Sequence, residues 1–176
     1  MNYTFLALTF LLLALPARAQ TPPAANPEDV ATVDAIMAAT YDVISGPIGE
    51  ERNWDRFRSL FIPGARLIPV SVRPEGVTAA VSTVDEYIQR ASPYFVQNGF
   101  FEVEVERKIE RYGHILHAFS TYESRSKPDD AKPFARGINS FQLLWDGSRW
   151  WIVTIYWDSE RPDQPIPERY LPRNSP

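Results

Sequence analysis

The chain has 176 residues, which allows one domain with a sizeable core and is short for two. Hydrophobic residues make up 44% of it and charged residues 23%, a balance that excludes a disordered tail. A formal net charge of −4 without clustered Lys or Arg excludes a dedicated nucleic-acid binder, and the lack of cysteine excludes disulfides, thiol lipidation, a Cys nucleophile and a Cys-ligated metal.

Residues 5–15 form an apolar run followed by Ala17-Arg18-Ala19, a small-residue cleavage pattern, so residues 1–19 are expected to be a signal peptide cut before Gln20. The segment 1–4 has no Lys or Arg, which leaves only the terminal amine as the positive region. The run is too short to span a bilayer comfortably, so the expectation is an exported protein, periplasmic or extracellular, with no membrane span after cleavage. A Pro- and Ala-rich lead-in over 20–26 carries nothing to bury.

The domain is expected over 27–158. Asn26 can cap a helix that opens Pro27-Glu28-Asp29, with Val30, Val33, Met37, Tyr41 and Ile44 at helical spacing up to Gly46-Pro47. Asn53 starts a shorter helix with Trp54, Phe57, Leu60 and Phe61 on one side, closed by Pro63-Gly64. A strand follows over 65–72, with Pro69 restricting it to an edge or a bulge. Thr83 and Glu86 form a capping box for a third helix that turns Tyr87, Ile88 and Ala91 inward and that Pro93 kinks or splits. From residue 100 the period becomes two: Phe101, Val103 and Val105 alternate with Glu102, Glu104 and Glu106, predicting one buried and one wet face. Further strands are expected over 114–125, 134–145 and 149–157, with hairpin turns at Tyr112-Gly113 and Asp146-Gly147. The Pro-rich tail, 159–176, can pack back through Ile166, Tyr170 and Leu171. Helices first and a meander of long antiparallel strands afterward predict an α+β fold, with the helices gathered on one face of a curved sheet.

Counting outward from a two-residue turn at Asp146-Gly147 puts Asn139, Phe141, Leu143, Trp150, Ile152, Thr154 and Tyr156 on the helix-covered face. The other face then holds Arg136, Ile138, Trp151, Val153, Ile155 and Trp157. The same count at Tyr112-Gly113 places Leu116, Ala118, Ser120 and Tyr122 inward with Phe101, Val103 and Val105, and His117, Phe119, Thr121 and Glu123 outward. Tyr41, Tyr122, Asn139 and Tyr156 are thus the polar tips on apolar inward faces, with Trp54 and Phe57 as an apolar wall. Together they are candidates for a pocket holding a small, mostly apolar molecule; taken singly each is also an ordinary core residue. On the outer face His117, Phe119, Glu123, Arg136, Trp151 and Trp157 are candidates for a homodimer contact, with Glu123 and Arg136 as an ion pair. A monomer covered by the tail is the alternative.

The stretch Trp54-Asp55-Arg56-Phe57 through Leu60-Phe61 to Pro63-Gly64-Ala65-Arg66-Leu67 resembles the second helix and first strand of the nuclear transport factor 2-like (SnoaL-like) superfamily. Residues 143–153 are similar to its last hairpin and residues 112–120 to the one before. The resemblance implies a cone, three N-terminal helices packed on a strongly curved, mostly antiparallel sheet with a pocket open at one end, in a family that includes ketosteroid isomerase, scytalone dehydratase, polyketide cyclases and noncatalytic binding domains. The fold does not choose among them. The isomerase base position, counted from Leu60-Phe61, falls near Ile68-Pro69, and neither residue takes a proton. His114 sits at a turn and His117 points outward, which suits surface or interface roles. There is no His/Asp/Glu cluster of metal-ligand spacing, no glycine-rich phosphate loop and no convincing Ser/His/Asp order, so neither a metal nor a cofactor is expected. Three functions remain open: a small-molecule binder, an enzyme of the isomerase, dehydratase or cyclase kind, and a dimerisation module with a filled cone.

Overall fold

A computed structural model describes residues 22–172. The expected signal peptide, its cleavage site and the last four residues of the tail lie outside them. Four helices and six strands follow in the order α1 (Pro27–Val30), α2 (Val33–Ile44), α3 (Trp54–Ser59), β1 (Phe61–Arg73), β2 (Gly76–Ala79), α4 (Val84–Asn98), β3 (Phe101–Tyr112), β4 (Ile115–Arg125), β5 (Ala135–Trp145) and β6 (Trp150–Ser159). A short 3₁₀ turn, Glu168–Tyr170, lies in the tail. The sheet order is β2-β1-β6-β5-β4-β3; β1 runs parallel to β6 and every other pair is antiparallel. This is the α+β architecture that the order of helical and alternating segments predicts. No helix among the described residues is long and apolar enough to cross a membrane.

The helices end where local chemistry ends them. The expected single first helix is two, because Thr32 adopts an extended backbone and its side chain accepts the Ala35 N–H, capping α2 afresh. The Thr83–Glu86 capping box opens α4, which continues through Pro93 without splitting. At the C-terminus of α2 the Arg52 guanidinium, 6% exposed, donates to the carbonyls of Ile44, Gly46 and Glu50. It answers the carbonyls that a helix end leaves without partners.

Pro63-Gly64 does not close α3; it lies inside β1, where the register against β6 shifts between Phe61 and Arg66. Pro69 is not on an edge. It falls between the Val70–Ala79 pair that ends β2 and the isolated Leu67–Ser82 bridge, where the ladder is already interrupted. The core lies between the helices and the inner sheet face, with Ile36 and Met37 of α2 and Phe57 of α3 packed among Phe61, Leu67, Phe141, Leu143 and Ile152.

Two one-residue bulges change which side chains face that core. The β3–β4 ladder pairs Glu106 with Thr121 but Glu104 with Tyr122, leaving Val105 extra. The β5–β6 ladder pairs Leu143 with Ile152 but Gln142 with Thr154, leaving Val153 extra. Side chains alternate with period two, so each extra residue inverts the facing of everything beyond it. In β3 this turns Glu102 and Glu104 inward and leaves Val103 47% exposed, the reverse of the expectation from Phe101, Val103 and Val105. In β6 it turns Ile155 and Trp157 inward and leaves Tyr156 46% exposed.

Candidate functional site

The inward turn of β3 creates a polar line inside the cone. Gly46 and Phe100 exchange backbone hydrogen bonds, and the Glu102 N–H donates to Ser45 Oγ at 3.0 Å, which pins the start of β3 to the end of α2. From there Glu102 meets β4 and β5. Ser124 Oγ donates to its carboxylate at 2.8 Å and Asn139 Nδ2 at 3.4 Å. Asn139 Nδ2 also donates to Tyr41 Oη at 3.1 Å. Ser120 gives its proton to Glu104 Oε1, so Tyr41 must be the donor in its 2.7 Å contact with Ser120 Oγ. The line therefore has one sense, Asn139 to Tyr41 to Ser120 to Glu104. Glu104 has its own cation, Arg107, at 3.2 Å. Among the described residues no Lys or Arg pairs with Glu102.

Glu102 faces a cavity of about 390 Å³ whose wall includes Tyr87, Tyr94, Phe95, Phe100, Phe134 and Trp157, with Tyr122, Ser124 and Asn139 beside the carboxyl. Phe95 stacks on Phe100 with ring centres 4.3 Å apart, and Tyr87 meets Trp157 edge-on at 6.1 Å. Gly137 stands opposite Tyr122, where a methyl group would overlap the Tyr122 hydroxyl and the Asp158 carbonyl, so only glycine admits the tyrosine. A larger hollow of about 670 Å³ lies between α3, β1 and α4, but Arg58 on its wall is already paired with Asp55 and Asp85.

Burial pushes the Glu102 carboxyl up to about 7, against the two hydrogen bonds, which favour its charged form. The Glu102 side chain as a whole is half-buried. Glu104 moves the same way for the same reason, restrained by Ser120 and Arg107. Burial raises the Tyr122 hydroxyl to about 12, with its hydrogen-bond contact to Ser159 opposing, and holds Tyr41 above the usual phenol range with help from the nearby Glu102 charge.

Of the six residues expected to form a pocket, the structure brings together Tyr41, Tyr122 and Asn139. Trp54 and Phe57 are packed behind the lining: Trp54 stacks on Phe95 and donates to Ser92, and Phe57 is 1% exposed against Tyr87. Tyr156 is on the outer face, and Trp157, expected there, lines the cavity; the Val153 bulge accounts for both. His117, Phe119, Glu123, Arg136 and Trp151 do lie on the outer face. Glu123 pairs with Arg125 and Arg136 with Glu160, in place of the expected Glu123–Arg136 pair, although the two face each other in the ladder. His117 Nε2 lies 2.9 Å from Ser140 Oγ, and Trp151 donates to Asp146. The tail covers part of this face. Thr121 donates to the Tyr170 carbonyl at 2.6 Å, the Phe119 and Tyr170 rings meet at 5.0 Å, and Ile166 is buried. Alternation places Glu102 and Glu104 on the wrong face; Ser120 and Ser124 fall on the inner face of β4 but are not among the expected pocket residues. The signal for the two acids was indirect: Tyr41, Ser120, Ser124 and Asn139 on inner faces required buried acceptors that an apolar β3 face would not supply.

No group of His, Cys, Asp and Glu among the described residues has a metal-holding arrangement. No protein-family model and no curated protein sequence matches the chain. Solved structures do share its shape. A protein of unknown function with a cystatin-like fold from Nostoc punctiforme superposes with a TM-score of 0.56 at 9% identity, over 74% of this chain and 90% of that one. A protein from Kribbella flavida gives 0.54 at 8% identity, over 74% and 90%. A nuclear transport factor 2-like protein of unknown function from Silicibacter pomeroyi gives 0.50 at 16% identity, over 74% and 94%. At such identities the likeness establishes the fold.

Proposed function

We propose that this chain, a cystatin-like cone of the nuclear transport factor 2-like kind, is an exported protein that holds a small, largely apolar molecule in its cavity. The observation that carries the reading is Glu102: one carboxyl, held in place by Ser124 and Asn139, facing a hollow of about 390 Å³ whose wall is mainly aromatic and aliphatic. Apolar walls with few fixed polar groups suit a ligand whose body is buried and whose single polar end is oriented. Native mass spectrometry of the protein from its own host tests this. A retained small molecule is expected, and Ala91→Phe, which places a ring in the cavity, is expected to remove it. A bare wild-type mass would overturn the reading.

A second reading has its own support. A carboxyl raised by burial to about 7 can hold or release a proton near neutral pH, the condition for moving a proton to or from a bound substrate. Such an enzyme, of the isomerase or lyase kind, would lose turnover in Glu102→Gln with little change in melting temperature. Equal turnover in the variant would exclude Glu102 as the proton-transfer group.

A further inference from the structure

The cavity leaves two features unexplained by an apolar ligand alone, and both concern charge. The first is the carboxylate without a counter-ion. Glu104, two residues along the same strand, is paired with Arg107, whereas Glu102 meets only the neutral donors Ser124 and Asn139. The basic side chain in the lining, Arg90, is exposed on α4 and donates to Ser82 Oγ at 3.2 Å. A buried anion is ordinarily matched by a cation. The second feature is the wall. Tyr87, Tyr94, Phe100, Phe134 and Trp157 surround the space in front of Glu102. Aromatic faces attract cations, most strongly where water is excluded.

We propose that the cavity's ligand is an organic cation, an alkyl- or arylalkylammonium whose charged nitrogen meets Glu102 and whose apolar body lies among the aromatic rings. The inference rests on the small-molecule reading above and narrows it to one chemical class. A neutral guest would leave the ionised carboxylate without a partner; an anionic guest would meet it as a like charge. An ammonium satisfies both the carboxylate and the ring faces.

Binding of such a ligand is linked to ionisation of Glu102. The titratable or charged groups around it are Tyr41 from α2, Tyr87 and Arg90 from α4, Glu104 from its own strand and Tyr122 from β4, and, across a second hollow that Glu102 also borders, Arg107 and Arg125, which are paired with Glu104 and Glu123. The tyrosines are held neutral well above pH 8 by burial, so between pH 6 and 8 the change belongs to Glu102, whose carboxyl titrates near 7, with Glu104 shifted upward in the same sense.

A matched series tests the class: 3-phenylpropylamine, 3-phenylpropan-1-ol and 3-phenylpropionate, titrated calorimetrically into the full chain at pH 6, 7 and 8. The ammonium is expected to bind at least about tenfold more tightly than the alcohol at pH 8, the carboxylate least, with the ammonium's advantage growing as pH rises. Glu102→Gln should remove both the advantage and its pH dependence. Phe134→Leu, at a half-exposed ring of the wall, should weaken the ammonium about threefold and the alcohol less, a readout that stands should the first variant fold poorly. If the alcohol or the carboxylate binds as tightly as the ammonium in the wild type, the cation class is overturned and the small-molecule reading survives. If none of the three binds and the protein from its host carries no retained mass, both fall.

Discussion

Ser124 Oγ donates to Glu102 at 2.8 Å from the paired position on the neighbouring strand, so a carboxyl disfavoured by its surroundings is held in one orientation by a residue with no charge of its own. The arrangement has a sign. The hydrogen bond favours the ionised form and burial favours the neutral one, and burial prevails. Ser124→Ala is therefore expected to move the Glu102 titration further above 7, read from the pH dependence of its carbonyl infrared band. An unchanged midpoint would show that the bond contributes nothing.

The same shift fixes how stability varies with pH. The ordinary value for this carboxyl is 4.5, and in the folded chain it is about 7. Between those values the folded form keeps a proton that the unfolded form has lost, so the contribution of Glu102 to stability is greatest at and below pH 4.5 and declines as pH rises to 7. The loss is of the order of 2–3 kcal/mol, and Glu104 adds in the same sense. Asp146 is held well below the usual carboxylate range by its bonds from Trp151 and the Ser148 and Arg149 backbone, so its effect falls at lower pH and runs the other way. Urea unfolding at pH 5, 6 and 7 should show a decline in the wild type that largely disappears in Glu102→Gln; parallel declines in both would refute the assignment.

The bulges make opposite predictions for adjacent residues. Val103→Lys and Tyr156→Thr change exposed side chains and should each alter stability by no more than about 0.5 kcal/mol. Trp157→Ala removes a ring packed on Tyr87 and should cost about 3 kcal/mol or more. A uniform alternation along β3 and β6 would reverse that order, so chemical denaturation of the three variants decides between the two registers.

Arg52 caps a helix from inside the protein. Replacing it by Met keeps much of the volume but leaves the carbonyls of Ile44, Gly46 and Glu50 without their donor, which should cost about 2–4 kcal/mol. Arg52→Lys is expected to recover only part, since one ammonium cannot reproduce a planar fork directed at several carbonyls. Equal stability of the Met and wild-type chains would contradict the capping role.

The tail and the outer face bear on self-association. Removing residues 160–176 uncovers Phe119 and Thr121, and the shortened chain is expected to be less stable and to associate more strongly. For the intact chain, a homodimer would have to pair through the remaining outer surface, around Trp151 and Tyr156. Light scattering should then give twice the chain mass, and Tyr156→Arg should halve it. A monomer in both cases would rule out that pairing.

Much of the architecture was readable because it follows from local chemistry. Asn53 capping α3, the Thr83–Glu86 box opening α4 and the change of period near Phe100 each state their structure within a few residues. The inward placement of Tyr122 and Asn139 was legible too, since β4 and β5 remain in simple register with each other. What failed lay beyond Val105 and Val153. Neither valine differs from an ordinary strand residue, and the bulge arises from how the ladders fit across the curved sheet, which is a property of pairs of strands. The alternation of Glu with Phe and Val in β3 was real, but its direction was inverted. Trp157 and Tyr156 exchanged roles for the same reason. The covering of Phe119 by Tyr170 depends on a contact between residues about fifty positions apart, for which no short motif exists.

An added residue in the middle of β3 thus does what no single replacement can: it exchanges Phe101 and Val103 for Glu102 and Glu104 on the inner face in one event while the order of strands stays the same. A chain of this shape that gains or loses one position in that strand would change the polarity of its interior without altering a side chain elsewhere. Proteins that superpose well on one another can for this reason differ completely in the chemistry of their interiors.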